Sequence, residues 1–132
     1  MTNPADSTHH LVIARTPRAR IRRKRREDAG DDYRWRRDPD LQRFNAEPVL
    51  EASFETFLVQ FELDLEFGHD RRAMFSIETP DGVHIGNLMY YNADRAGGAF
   101  EFGMSIADEA LRGKGLGREV TAAFPRGRCI SG

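Results

Sequence analysis

The sequence contains one cysteine, no long apolar run, and almost no net charge, −1 over 132 residues. The single cysteine, Cys129, excludes an internal disulfide and fits a reducing compartment. It stands in the irregular ending "PRGRCISG" with no His or carboxylate neighbour to activate it, and is read as incidental. Near the N-terminus the apolar run is only Leu11 to Ala14, too short for the core of a secretory leader. No continuous apolar run could span a bilayer. The expectation is a soluble, cytoplasmic protein without membrane contact. Ligand-spaced metal sets are also missing: His9-His10 lie in a floppy tail, and His69 and His84 have no companions at useful spacing. No metal is expected.

At this length the chain is one domain at most. Hydrophobic residues make up 39% and charged residues 31%, which suits a soluble domain with some poorly buried chain. The charge is uneven. From Arg15 to Arg37 there are eleven Arg and Lys against four acids. With Tyr33 and Trp35 nearby, this segment has the cations and rings to hold nucleic acid. The alternative is the solvated face of a short helix, neutralised by Glu27, Asp28, Asp31 and Asp32.

Residues 1 to 17 carry Pro4, Pro17 and small polar residues without periodicity, and read as a flexible tail. "ARIRRKRRED" reads as a short strand running into a turn, with Ile21 its one apolar residue after Ala19. "REDAGDDYRWRRDPDLQRF" reads as a helix opening at Glu27 and Asp28 and ended or bent at Asp38-Pro39. "SFETFLVQFELDLEF" supports two patterns. Phe54, Phe57, Leu58, Phe61 and Leu65 form a helical stripe behind a Ser53 N-cap, whereas Phe61, Leu63, Leu65 and Phe67 alternate with acids as in a strand. Length and composition favour the helix. Three segments follow, "RAMFSIET", "HIGNLMYYN" and "AFEFGMSI", separated by the turn sequences "PDGV" and "ADRAGG". They predict a three-stranded antiparallel meander. "LRGKGLGREVTAAF" then places a glycine-rich turn before a helix from about Leu116 to Phe124.

Glycines at alternate positions let backbone N–H groups converge, and a helix N-terminus adds its positive dipole end, so such a loop can cradle phosphate. Arg112, Lys114 and Arg118 supply countercharge. The mononucleotide P-loop is excluded because Lys114 is followed by Gly115 rather than Ser or Thr. The dinucleotide fingerprint is excluded by spacing and by the antiparallel strands upstream.

The meander leading into Arg112-Gly113-Lys114-Gly115-Leu116-Gly117 resembles the GCN5-related N-acetyltransferases, whose acetyl-coenzyme A signature is Gln or Arg, two residues, Gly, one residue, then Gly or Ala. "REDAGDDYRWRRDPDLQRFNAEP", "FSIETPDGVHIGNLMYYN" and "FEFGMSIADEALRGKGLGREV" are similar to the RimJ/RimL-like branch, which acetylates ribosomal-protein N-termini and related small amines. The resemblance runs from about Arg18 to Ala123.

It implies an α/β fold with a mixed, mostly antiparallel sheet flanked by helices, lacking the C-terminal strands. The implied domains are a flexible tail 1–17, a partial N-acetyltransferase domain 18–124 and an irregular tail 125–132. The implied cosubstrate is acetyl-coenzyme A, its pyrophosphate on Gly113, Lys114, Gly115, Leu116, Gly117 and Arg118, with Arg112 opening the motif. Its pantetheine arm would pair with Met104, Ser105 and Ile106, where backbone N–H groups polarise the thioester carbonyl. The resemblance makes Glu101 the candidate catalytic base, against a place on a solvated strand face. It places Tyr90, Tyr91 and Asn92 on the acceptor side, against a place in the core. The implied reaction moves an acetyl group to a primary amine of a protein N-terminus or small molecule. The helix meets Pro125, which removes a backbone donor, and "PRGRCISG" does not resemble the family's continuation. A truncated gene product with an open sheet edge, prone to self-association, is the expectation, with an inactive remnant or interaction module as the alternative.

Overall fold

The computed structural model describes residues 12–68, 72–94 and 99–123, and for residues 72, 90–94 and 99–102 the backbone alone. The sequence expectations for His9, His10, His69, Pro125 and Cys129 lie outside the described residues. The chain divides into two compact units, Lys24–Asp70 and the combination of Met1–Arg23 with Arg71–Gly132.

In the second of these, alternation of apolar and polar residues produces a sheet. Its strands are β1 (Val12–Arg15), β2 (Arg20–Arg23), β3 (Arg72–Glu78), β4 (His84–Asp94) and β5 (Ala99–Ile106). They lie in the order β1-β2-β3-β4-β5, and every pairing is antiparallel. The meander expected over β3 to β5 is present. Between β3 and β4 a tight turn is closed by Gly82 N–H donating to the Thr79 carbonyl (2.9 Å), with Gly82 at φ +91°.

β1 corrects the flexible-tail reading of residues 1–17 over Val12–Arg15. These residues are not periodic enough to announce a strand, but they have a partner: Val12 lies opposite Arg22, Ala14 opposite Ile21 and Arg15 opposite Arg20. Ile13 and Ala14 also pack against the core. The turn into β2 is fixed by the Thr16 hydroxyl, which accepts from the Ala19 N–H at 3.0 Å.

Residues directly opposed in antiparallel strands share a face. Ile21 opposes Ile77, Phe75 opposes Leu88, and Leu88 opposes Met104, so one face of the sheet is an apolar band. The helix α4 (Leu116–Ala123) adds Leu116 and Val120, four residues apart and therefore on one helical side, to the same buried cluster.

The arginine-rich strand β2 joins this sheet through a buried carboxylate. Arg20 lies opposite Glu78 and Arg22 opposite Ser76, on the face away from Ile21. Arg22 Nε donates to Glu78 Oε1 at 2.6 Å with both side chains fully buried. Arg20 meets Glu78 Oε2 as an ion pair outside hydrogen-bond alignment, and its own side chain is 19% exposed.

The other unit contains a 3-10 turn at Arg26–Asp28 and three helices, α1 (Ala29–Arg36), α2 (Pro39–Phe44) and α3 (Phe54–Phe67). The chain breaks at the expected Asp38-Pro39: Asp38 Oδ1 caps α2 by accepting from Asp40 N–H at 2.9 Å, and Pro39 occupies its first turn. The helical reading of residues 54–67 holds, with the Ser53 hydroxyl accepting from Thr56 N–H at 3.2 Å. Tyr33 gathers Phe54 and Phe57 at centroid distances of 5.2 and 5.3 Å, and Phe57 continues to Phe61 at 5.8 Å. Val59, Leu63 and Phe67, one helical turn apart, are exposed. Leu65 is exposed as well, so past Phe61 every apolar residue of the acid–apolar alternation faces solvent. Among the described residues no helix is long and apolar enough to cross a membrane.

Removing one partner from a buried ion pair leaves the other uncompensated, at a cost of about 3–5 kcal/mol. Glu78→Ala, which strands Arg22, is expected to lose stability of that order in urea denaturation. Arg26→Ala, at an exposed pair with Glu62, should leave the midpoint nearly unchanged. Equal midpoints for wild type and Glu78→Ala would show that the carboxylate does not secure β2.

Candidate functional site

The glycine loop grows out of the end of β5. A 3-10 turn at Glu109–Leu111 is capped by Asp108, whose Oδ1 accepts from Ala110 N–H at 3.0 Å. Arg112 then returns to an extended conformation, and Gly113 (φ +74°) and Gly115 (φ +82°) both occupy the left-handed region that side-chain-bearing residues rarely adopt. These two positions require glycine for conformation. Gly117 does not: it is helical, and a Cβ there would meet Met104 Sδ at an ordinary 3.7 Å. An alanine at this position would therefore fit.

The loop presents open space. A Cβ on Gly113 would meet nothing within 4 Å, and one on Gly115 only Arg18 Nη2 at 3.8 Å. Glu119 N–H makes the first helical bond, to the Gly115 carbonyl at 3.0 Å. The amides of Leu116, Gly117 and Arg118 precede it, at the donor-rich start of α4. Lys114 and Arg118 are exposed and make no ion pair among the described residues. The donor set and the open side therefore fit a pyrophosphate. Arg112 is placed differently. Its Nε donates to the Ile106 carbonyl at 3.0 Å and its Nη2 approaches the Ala107 carbonyl at 3.5 Å.

The second component is the edge of β5. Ala107 N–H donates to the Ile85 carbonyl at 2.8 Å, which sets the phase of the ladder. In antiparallel pairs the bonded positions alternate. With Ser105 opposite Asn87 and Met104 opposite Leu88, Ser105 turns its backbone toward β4, whereas Met104 and Ile106 turn theirs to the outer edge. No described strand pairs with that edge. Of the three residues expected to pair with a pantetheine arm, two are in phase to do so.

Other expected residues are placed by backbone alone. Glu101 lies opposite Tyr91 and Phe102 opposite Tyr90, while Asn92 falls where the β4–β5 register shifts between Tyr91 and Asp94. The side chains of Glu101, Tyr90, Tyr91 and Asn92 lie outside the described residues.

Sequence reading missed three residues. Gly86 permits the close approach of β4 and β5 beside Met104–Ile106: a Cβ there would fall 2.2 Å from the Ser105 carbonyl oxygen. Its signal was a glycine inside a strand pattern. Glu119 and Arg18 fasten α4 to the β1–β2 turn, with Arg18 N–H at 3.0 Å from Oε2 and Arg18 Nε at 2.8 Å from Oε1. Separated by a hundred residues, they gave no local signal. Hydrogen bonds from Thr16 and from Arg18 hold the Glu119 carboxyl below its ordinary value.

Cations of the Arg15–Arg37 segment are largely engaged. Arg20 and Arg22 meet Glu78, Arg18 meets Glu119, and Lys24 meets Asp32 at 2.7 Å. Arg26 pairs with Glu62, Arg34 with Asp31, and Arg37 stands over the Tyr33 ring at 5.6 Å.

Residues 18–126 match the family model of the acetyltransferase (GNAT) domain, and the chain belongs to the GNAT acetyltransferases. Solved structures of the same fold include a GNAT-family acetyltransferase from Bacillus anthracis, with 16% identity and a TM-score of 0.64 over 83% of this chain and 61% of that one. A spermidine N-acetyltransferase from Vibrio cholerae, in complex with CoA and spermine, gives 23% identity and a TM-score of 0.63 over 78% and 59%. An acetyltransferase from Thermus thermophilus gives 18% identity and a TM-score of 0.58 over 79% and 65%. The chain thus spans about three fifths of the length of the first two. Among curated proteins, none matches the sequence.

Two expectations follow from these contacts. Gly86→Ala forces the strand backbones apart and should cost at least the roughly 1–3 kcal/mol of an overpacked interior, while Gly103→Ala, which meets nothing within 4 Å, should be tolerated. Comparable denaturation midpoints for the two variants would contradict the close approach. For Glu119, a lowered folded pKa means that its pairing stabilises above the unfolded value near 4.5 and is lost as pH falls through the folded value. Wild type should therefore exceed Glu119→Gln in stability at neutral pH, and the gap should close below about pH 4.5. A gap that persists at acid pH would assign the effect to something other than the carboxylate's charge.

Proposed function

We propose that the chain carries the acetyl-coenzyme A half of an N-acetyltransferase that acts on a primary amine. The observation that supports this best is the pairing of an open, left-handed glycine turn at Gly113 and Gly115 with an outward-facing strand edge at Met104 and Ile106. The amides from Gly113 to Arg118 would hold the pyrophosphate, with Lys114 and Arg118 as countercharge. The pantetheine arm would lie along the β5 edge, and an outward N–H there would stabilise the oxyanion that forms when an amine attacks the thioester carbonyl.

An attacking amine must be neutral, so a base within reach of its proton is needed. Glu101 is the proposed base, and Tyr90, Tyr91 and Asn92 are proposed to line the acceptor side. The solved neighbours include spermidine N-acetyltransferases, which supports a small amine. The RimJ/RimL-like motifs support a protein N-terminus. Both are primary amines, and that is the acceptor class proposed here, with the cytoplasm as its location. The engaged arginines of residues 18–37 speak for a structural use of that charge over nucleic-acid binding.

The test is thermal unfolding of the full chain with and without acetyl-coenzyme A. Ligand at a hundred times its dissociation constant should stabilise by about 2.7 kcal/mol. Gly115→Asp places a carboxylate against the pyrophosphate site and should abolish most of that shift, whereas Gly117→Ala should keep it. A cooperative transition that acetyl-coenzyme A leaves unmoved in wild type would defeat the proposal.

A further inference from the structure

The signature's opening residue, Arg112, is the one cation of the motif engaged away from the loop's open side. At least two of its donors go to main-chain carbonyls, Ile106 at 3.0 Å and Ala107 at 3.5 Å. Its side chain is partly buried, whereas Lys114 and Arg118 are exposed. The ladder phase gives the Ile106 contact its meaning. Ile106 is one of the two residues whose backbone faces outward from β5, so its carbonyl is an acceptor that an added strand would otherwise use.

We propose that Arg112 is a positioning residue that caps the outer edge of β5 at Ile106, and thereby fixes where the pantetheine arm stops pairing along the strand and turns into the glycine loop. The proposal rests on the acetyl-coenzyme A reading above.

The physical basis is the combination of charge and shape. A guanidinium donates in a fixed plane, and hydrogen bonds from a charged donor are stronger than those between neutral groups. Arg112 immediately precedes Gly113, whose φ of +74° reverses the chain. One residue therefore ties the strand end to the start of the turn. With Ile106 C=O engaged, Met104 N–H, Met104 C=O and Ile106 N–H are the outward groups left over this stretch for the arm. The cap sets the arm's register on the strand, and the adjoining turn sets the pyrophosphate's position relative to it.

Arg112→Lys separates this role from phosphate binding, because Lys keeps the charge but loses the forked donors. The probes are coenzyme A and S-acetylpantetheine, which lacks all phosphate, with binding to the full chain followed by calorimetry at several salt concentrations. Capping predicts that Arg112→Lys and Arg112→Met each weaken both probes by a similar factor, roughly ten- to a hundredfold for loss of a charged hydrogen bond. It also predicts that the salt dependence of coenzyme A binding stays as in wild type. If S-acetylpantetheine binds the variants as it binds wild type while coenzyme A weakens and its salt dependence falls, Arg112 is a phosphate ligand and the proposal is wrong. Unchanged binding of both probes also overturns it. Should Arg112→Met not fold, the Arg112→Lys comparison carries the test alone. If wild type binds neither probe, it is the acetyl-coenzyme A reading that has failed, and this role falls with it.

Discussion

Everything in the sheet unit hangs on how a strand made largely of arginine is held inside a sheet. β2 offers Ile21 to the apolar side and Arg20 and Arg22 to the other. Burying ions costs several kcal/mol each unless their partners are well placed. Here one carboxylate, Glu78, serves both arginines, an oxygen for each. Arg22 and Glu78 are wholly buried, while Arg20 keeps contact with water and so forgoes less hydration. This arrangement also fixes register. Because side chains alternate, a one-residue slip would send Arg22 into the apolar band and Ile21 to the charged face.

That register propagates to the site. The turn between β1 and β2 carries Arg18, which grips Glu119 on α4 through both its backbone and its guanidinium. α4 begins at the glycine loop, so the loop's helix is fastened to the same turn that Glu78 indirectly locates. At its other end the loop is joined to β5 by Arg112, and β5 is drawn close to β4 at Gly86. The loop is thus supported from two directions by charged contacts, while Gly113 and Gly115 keep side-chain bulk off two of its positions.

The fold was legible where a pattern is local. The meander was read from alternating residues and turn sequences, the break after α1 from Asp38-Pro39, and the glycine turn from its spacing. The helix over residues 54–67 was ambiguous because Leu63, Leu65 and Phe67 are apolar yet exposed, so its apolar residues are not confined to the side that packs. β1 was missed because its pairing with β2, and not its own composition, makes it a strand. The glycine turn was legible from its spacing, but which of Met104, Ser105 and Ile106 face the open edge was not, because the phase of a ladder depends on its partner strand. Arg18 and Glu119 were invisible for the same reason. Their meeting is a property of the folded sheet, not of either segment.

The division between legible and illegible parts follows from what each part is made of. A loop whose donors are main-chain amides and a strand edge whose outward groups are main-chain N–H and C=O constrain sequence at few positions. They require a residue free to take positive φ at 113 and 115, room for backbone contact at 86, and a correct ladder phase at 104 and 106. Most other positions can vary without changing where those groups point. The fold is shared with solved acetyltransferases at 16–23% identity, as expected where backbone geometry rather than particular side chains defines the frame. An acceptor amine, in contrast, is selected by side chains, which vary freely on that common frame. Under the proposed function the cofactor contacts are set by backbone geometry and the acceptor contacts by side chains, and Arg112 belongs to the first set because its side chain acts on the backbone of β5.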